Sequence, residues 1–100
     1  MASIVRIEHP VPDYQVWKAA FDSDPIGRAR SGVRRHQVQR AADDPNYVLV
    51  DLEFDTHREA EAALAALRVL WERVAGTVMS DPSARIVEPV ETREYASGSL

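Results

Sequence analysis

Hydrophobic and polar residues alternate along Tyr47–Phe54, with Val48, Val50, Leu52 and Phe54 on one side and Tyr47, Leu49, Asp51 and Glu53 on the other. A period of two is that of a β-strand with one buried face. Ser3–His9 alternates in the same way, is rich in Ile and Val, and is closed by Pro10 and Pro12. Because proline cannot donate to a sheet ladder, this segment reads as a strand that stops there. Val33–Ala41 reads as another strand, joined to Tyr47–Phe54 by the turn residues Asp43-Asp44-Pro45-Asn46. Strands joined by so short a polar turn form an antiparallel hairpin. Ala84–Tyr95 reads as a last strand, in which Pro89 implies an edge or a bulge.

Two other stretches carry the helical period. Asp13 is a suitable N-cap, and Tyr14, Trp17 and Phe21 then recur at i, i+3 and i+7, with Val16 and Ala20 beside them. Asp24-Pro25 ends this helix, since a residue before proline avoids the α region. The linker Pro25–Gly32 has room for one helical turn. Thr56 and Glu59 are spaced as a capping box, and Ala60, Ala63, Leu64, Leu67, Leu70, Trp71 and Val74 follow as an apolar stripe, with Gly76 as the stop. The order is β-α-β-β-α-β. Its low-strain arrangement is a ferredoxin-like α+β fold, a four-stranded antiparallel sheet with two helices on one face. The expected domain spans residues 1–95, with 96–100 as a flexible tail.

Such a sheet keeps one face bare. Leu49 and Tyr47, together with Ile4 or Val87, leave that face half apolar on a chain of 100 residues whose own core is modest. A homodimer packed through it is the expected assembly. The 45% hydrophobic and 28% charged fractions are those of a globular chain. With no cysteine, there is no disulfide framework and no thiolate nucleophile, which fits a reducing cytoplasm. The first residues lack the basic and apolar regions of a signal peptide, and no apolar run approaches the roughly 20 residues of a membrane span.

A net charge of −4 argues against nucleic acid as a partner. The charge is nevertheless uneven: residues 26–40 hold Arg28, Arg30, Arg34, Arg35 and Arg40 and no acid. Such a segment can attract an anion locally or pair with acids elsewhere in the fold.

Length, element order and the segments DYQVWKAAFDSDPIGRARSGVRRHQVQR and PNYVLVDLEF resemble the dimeric α+β-barrel superfamily over residues 3–95. That superfamily includes antibiotic-biosynthesis monooxygenases, aromatic-polyketide cyclases and uncharacterised small proteins. The resemblance implies two sheets packed face to face into a shared barrel, and an aromatic or polyketide-like ligand. Haem-degrading relatives carry a histidine ligand inside the second helix, whereas here His57 stands only at its capped start.

Candidate chemistry centres on His36, a possible base, and Arg34, which could hold a carboxylate, phenolate or enolate, two residues apart on the second strand. Trp17, Phe21 and Trp71 could roof an aromatic-lined pocket, with Tyr14 at its rim, or simply be core. His9 stands near Asp13 and could form an acid–base pair with it or merely close the strand. Asp51, on the far sheet face, needs an arginine such as Arg6 or Arg35. The three histidines have no metal-ligand spacing, and there is no glycine-rich nucleotide loop, so no metal or cofactor is expected. Two functions follow: a small-molecule-binding dimer, or a cofactor-independent monooxygenase or polyketide cyclase with His36 as base and Arg34 as anion stabiliser.

Overall fold

The computed structural model describes residues 2–74 and 82–96. Six elements run in the order β1 (Ser3–Pro10), α1 (Tyr14–Asp22), β2 (Val33–Ala41), β3 (Asp44–Phe54), α2 (His57–Val74) and β4 (Ser83–Val87). They form one antiparallel sheet in the order β2-β3-β1-β4, with both helices packed on one face. This is the ferredoxin-like arrangement. The two central strands are the two with the cleanest alternation: β1 alternates buried and open over its whole length, and β3 does so from Tyr47.

Each helix starts as its residues dictate. The Asp13 carboxylate accepts from the backbone N–H groups of Gln15 and Val16 at 2.8 and 3.3 Å. The Thr56 hydroxyl accepts from the Glu59 N–H at 3.1 Å and donates to the Glu59 carboxylate at 3.2 Å. Only half of the reciprocal capping box is therefore formed. Gly32, at φ +98°, lets the chain enter β2 close to this cap; a Cβ there would lie 2.5 Å from Glu59 Oε2.

Three elements depart from the expected boundaries. First, α1 stops at Asp22, and Asp24 takes φ +55° before the proline; residues 25–32 make turns rather than a helical turn. Second, β3 begins at Asp44, so the hairpin turn is tighter than the four polar residues suggested. Third, β4 ends at Val87 instead of running to Tyr95. Glu88-Pro89 follows directly, and residues 88–96 have no regular structure, leaving Val90 and Tyr95 exposed. Gly76, the Ser80-Asp81 turn and most of the expected tail lie outside the described residues.

The core lies between helices and sheet. Val48, Val50, Leu52 and Phe54 of β3 and Val5 and Ile7 of β1 meet Trp17, Ala60, Ala63, Leu67 and Trp71. Along α2 the buried residues change in size. Small Ala60 and Ala63 occupy the first half, and bulky Leu67 and Trp71 the second. The opposite sheet face carries Ile4, Arg6 and Glu8 of β1 against Tyr47, Leu49, Asp51 and Glu53 of β3. No helix among the described residues is long and apolar enough to cross a membrane.

Candidate functional site

The core does not fill the space it encloses. A pocket of about 220 Å³ lies where the second half of α2 faces the end of α1. Its floor is Ile7, His9, Val50 and Leu52 of the central strands. Leu67, Leu70, Trp71 and Val74 of α2 form one wall, and Trp17, Ala20 and Phe21 of α1 form the other. The turn after α1 closes one side with Pro25, Ile26 and Arg28. Among the described residues His9, Ser23 and Arg28 bring polar side chains to its lining.

The aromatic stripe of α1 builds the wall in sequence. Tyr14 and Trp17 are tilted at 6.0 Å between centroids, and Trp17 stacks on Phe21 at 5.2 Å. Such offset contacts hold planar side chains against one another.

His9 reaches this pocket from the sheet. It is 2% exposed and meets the Trp17 ring edge-on at 5.8 Å. Its Nδ1 lies 3.1 Å from the Pro10 carbonyl oxygen. A carbonyl can only accept, so Nδ1 carries the hydrogen, and in the neutral ring Nε2 holds the free lone pair. Burial pushes the imidazole below its ordinary value, and the Pro10 carbonyl opposes this in part. His9 is thus neutral at pH 7 with one basic nitrogen that has no protein partner among the described residues. Asp13 does not pair with it, because its carboxylate is used by the helix cap.

Trp17, Trp71 and His9 therefore meet in one pocket, whereas Tyr14, His36 and Arg34 stand outside its lining. Tyr14 lies beyond Trp17, under the Arg40 guanidinium at 4.5 Å. His36 is an exposed side chain of the edge strand and touches the outer side of Phe21 at 5.3 Å, so it stands one ring away from the pocket.

Arg34 is displaced further, for a reason in the backbone. Val33 pairs with Phe54, but Arg35 pairs with Glu53, so Arg34 is the extra residue of a β-bulge. The bulge turns Val33 onto the core side, where it packs, instead of onto the face of Arg35, Gln37 and Gln39 as strict alternation would have it. It also sends Arg34 to solvent, where the guanidinium binds Asp55 at 2.7 Å. Neither Arg34 nor His36 joins Trp17 in the pocket lining.

Arg28 is the pocket residue that sequence reasoning passed over as a loop arginine. Its guanidinium lies 4.0 Å over the Phe21 ring, and Nη1 donates to the Phe21 carbonyl at 2.8 Å. The signal was an arginine seven residues after an aromatic in a glycine-containing loop. The turn geometry that aims it is tertiary. Among the described residues, no group of three His, Asp or Glu side chains gathers as a metal site.

No family model matches the sequence, and no curated protein matches it either. Solved structures do match the fold. SnoaB, a cofactor-independent oxygenase from Streptomyces nogalater, superposes with a TM-score of 0.73 at 19% identity, over 91% of this chain and 95% of that one. A protein of unknown function from Nitrosomonas europaea gives 0.70 at 16% identity over 96% of both chains. Another from that organism, which carries the antibiotic-biosynthesis-monooxygenase name, gives 0.68 at 17% identity over 89% and 90%. The chain thus has the ferredoxin-like fold of the antibiotic-biosynthesis-monooxygenase-like proteins.

Proposed function

We propose that the protein is a homodimer in which each subunit binds a small aromatic, polyketide-fragment-like molecule between its helices and sheet. The pocket carries this reading: about 220 Å³ bounded by two tryptophans, a phenylalanine and aliphatic side chains. An apolar cavity of about 150 Å³ suffices for benzene. One or two fused rings therefore match the space, and a tetracyclic molecule does not. Fold neighbours that bear a monooxygenase name support a small-molecule ligand by analogy.

Three features support the dimer. The open sheet face offers Ile4, Tyr47, Leu49 and Val87. Its carboxylates are already partnered within the chain: Asp51 by Arg6 at 2.9 Å, Glu53 by Arg35 at 2.8 Å and Glu8 by the Tyr47 hydroxyl at 2.8 Å. Covering these groups leaves no lone carboxylate buried. Finally, Val90 and Tyr95 extend from the domain at 96% and 83% exposure, apolar surface that a second copy can cover.

One observation favours a catalytic reading of the same pocket. His9, neutral and with Nε2 lacking a protein partner among the described residues, lines an aromatic-walled pocket, the setting for a general base. In that reading Nε2 takes a proton from an acidic O–H or C–H of the ligand, an Nε2–H bond forms, and the electron pair of the broken bond stays on the ligand as phenolate or enolate. Such an anion is the starting point of cofactor-independent oxygenation, the activity given for the Streptomyces nogalater protein.

Titration of Trp17 and Trp71 fluorescence with 1-naphthol, 2-naphthol and 1,8-dihydroxynaphthalene tests the pocket. Saturable quenching is expected, abolished by Ala20→Phe, which fills the space from α1 without changing the fold. No response to any of the three, or an unchanged response in Ala20→Phe, overturns the pocket reading. Sedimentation at micromolar concentration should give about twice the 11.2 kDa chain mass; a stable monomer overturns the dimer.

A further inference from the structure

The described lining of the pocket carries a single cation, Arg28. We infer that the ligand is an aromatic anion, an arene carboxylate or a phenol that binds ionised, and that Arg28 selects it. This rests on the pocket reading above and specifies the ligand's charge and the residue that recognises it.

Arg28 has a structural task that occupies part of its guanidinium. Nη1 donates to the Phe21 carbonyl at 2.8 Å and so caps the end of α1, where a positive charge is favoured. Its backbone N–H is held by the Asp24 carboxylate at 2.8 Å, and Asp24 in turn holds the turn through its carbonyl and the Gly27 N–H at 3.0 Å. The side chain is fixed over the Phe21 face and only 17% exposed. The cap uses one of the five guanidinium N–H donors and leaves four. Nη2 has no protein partner among the described residues, and the residue lines the pocket.

The charge is matched only loosely within the described residues: the Asp24 carboxylate pairs with the guanidinium at 3.5 Å from Nε. That is well beyond the roughly 2.7–2.9 Å of a charge-assisted hydrogen bond. Among the described residues no carboxylate lines the pocket, and the other titratable group there, His9, is neutral. A guanidinium in a site shielded from water attracts an anion more strongly than one in bulk solvent. Its planar fork also suits a carboxylate. By contrast, Arg34, Arg35 and Arg6 each hold a carboxylate of their own at 2.7–2.9 Å. Arg28 is the cation placed to receive one from outside.

Calorimetric titration with 2-naphthoate and with its neutral counterpart 2-naphthalenemethanol tests the charge directly. The parent should bind naphthoate at least about tenfold more tightly, the scale of one hydrogen bond to a charged group. Arg28→Gln should reduce that ratio to about one. Arg28→Lys, which keeps the helix-end charge but loses the fork, should give an intermediate ratio and serves as the folded control if Arg28→Gln is unstable. Equal binding of the two probes by the parent, or an undiminished ratio in either variant, overturns the inference and leaves the pocket reading intact. If neither probe binds the parent, the pocket reading fails, and this inference falls with it.

Discussion

The two faces of β3 are built from alternate residues of one strand, yet they solve opposite problems. On the covered face, Val48, Val50, Leu52 and Phe54 are buried and carry no polar side-chain atom. On the open face, Asp51 and Glu53 stand among Tyr47 and Leu49, and each carboxylate is answered by an arginine of a neighbouring strand. Charge on the open face is thereby neutralised within the chain. The covered face has the reverse arrangement: it buries one histidine with a free nitrogen and brings one arginine to its margin. Groups that are unsatisfied within the chain collect on the apolar side, where desolvation strengthens what they can do. Groups on the polar side are already matched, which suits packing against another surface.

The sharpest way to break this comparison is to shorten the same side chain on each face. Leu52→Ala should cost about 2–5 kcal/mol in urea unfolding, as deletion of a buried leucine does. Leu49→Ala, three residues away on the other face, should cost less than about 1 kcal/mol in samples dilute enough to be monomeric. Its effect should appear instead as weaker self-association in sedimentation. Equal costs in the dilute samples would mean that the open face is not open in the monomer.

That alternation was legible because a period of two over eight residues can bury only one face of a strand, and the apolar stripe of α2 was legible for the parallel reason. What could not be read was where the backbone breaks its own period. Val33–Ala41 is polar on both sides, so nothing in its pattern opposes a bulge, and the extra residue at Arg34 reverses which side Val33 occupies. The end of β4 follows the same logic, since a strand paired only with β1 gains little by continuing through Glu88-Pro89. Trp17 and Trp71 were read together as a pocket roof and His9 apart from them; that all three line one pocket depends on the helices' packing and not on spacing. Arg28 escaped notice because the positive φ values of Asp24 and Gly27 aim it, and these are properties of the folded turn.

A second test uses acid, and its effect is a slope rather than a step. His9 in the unfolded chain takes up a proton near pH 6.5. In the folded protein, burial lowers its pKa, so the proton binds only at lower pH. Between those two values the unfolded state holds more protons, and stability therefore falls as pH falls. The contribution from His9 is complete above about pH 6.5 and is lost progressively below it. Urea midpoints between pH 7.5 and 5 should decline more steeply in the parent than in His9→Gln. The His9 ring resonances of the parent should also titrate below the ordinary histidine value. A parent and variant that decline in parallel would show that His9 is not held neutral by the core.

The smallest effect belongs to Arg34, the residue on which strand periodicity alone would have placed the anion site. Its guanidinium and the Asp55 carboxylate are 68% and 58% exposed, although their oxygen and nitrogen lie only 2.7 Å apart. Close geometry is not strength here, because water screens both charges and each side chain must be immobilised to keep the contact. The bulge that carries Arg34 depends on the backbone pairing of Val33 with Phe54 and Arg35 with Glu53, in which the Arg34 side chain takes no part. Arg34→Ala should therefore leave the urea midpoint unchanged within error and leave the naphthoate affinity as it is in the parent. The comparison with Arg28→Gln is then between two arginines six residues apart, one closely paired with a carboxylate in solvent and one loosely paired with Asp24 and held against an aromatic ring. If Arg34→Ala weakens naphthoate binding as much as Arg28→Gln does, the anion is attracted by the general positive charge of residues 26–40 and not by a built contact, and a steep decline of affinity with added salt should accompany that result.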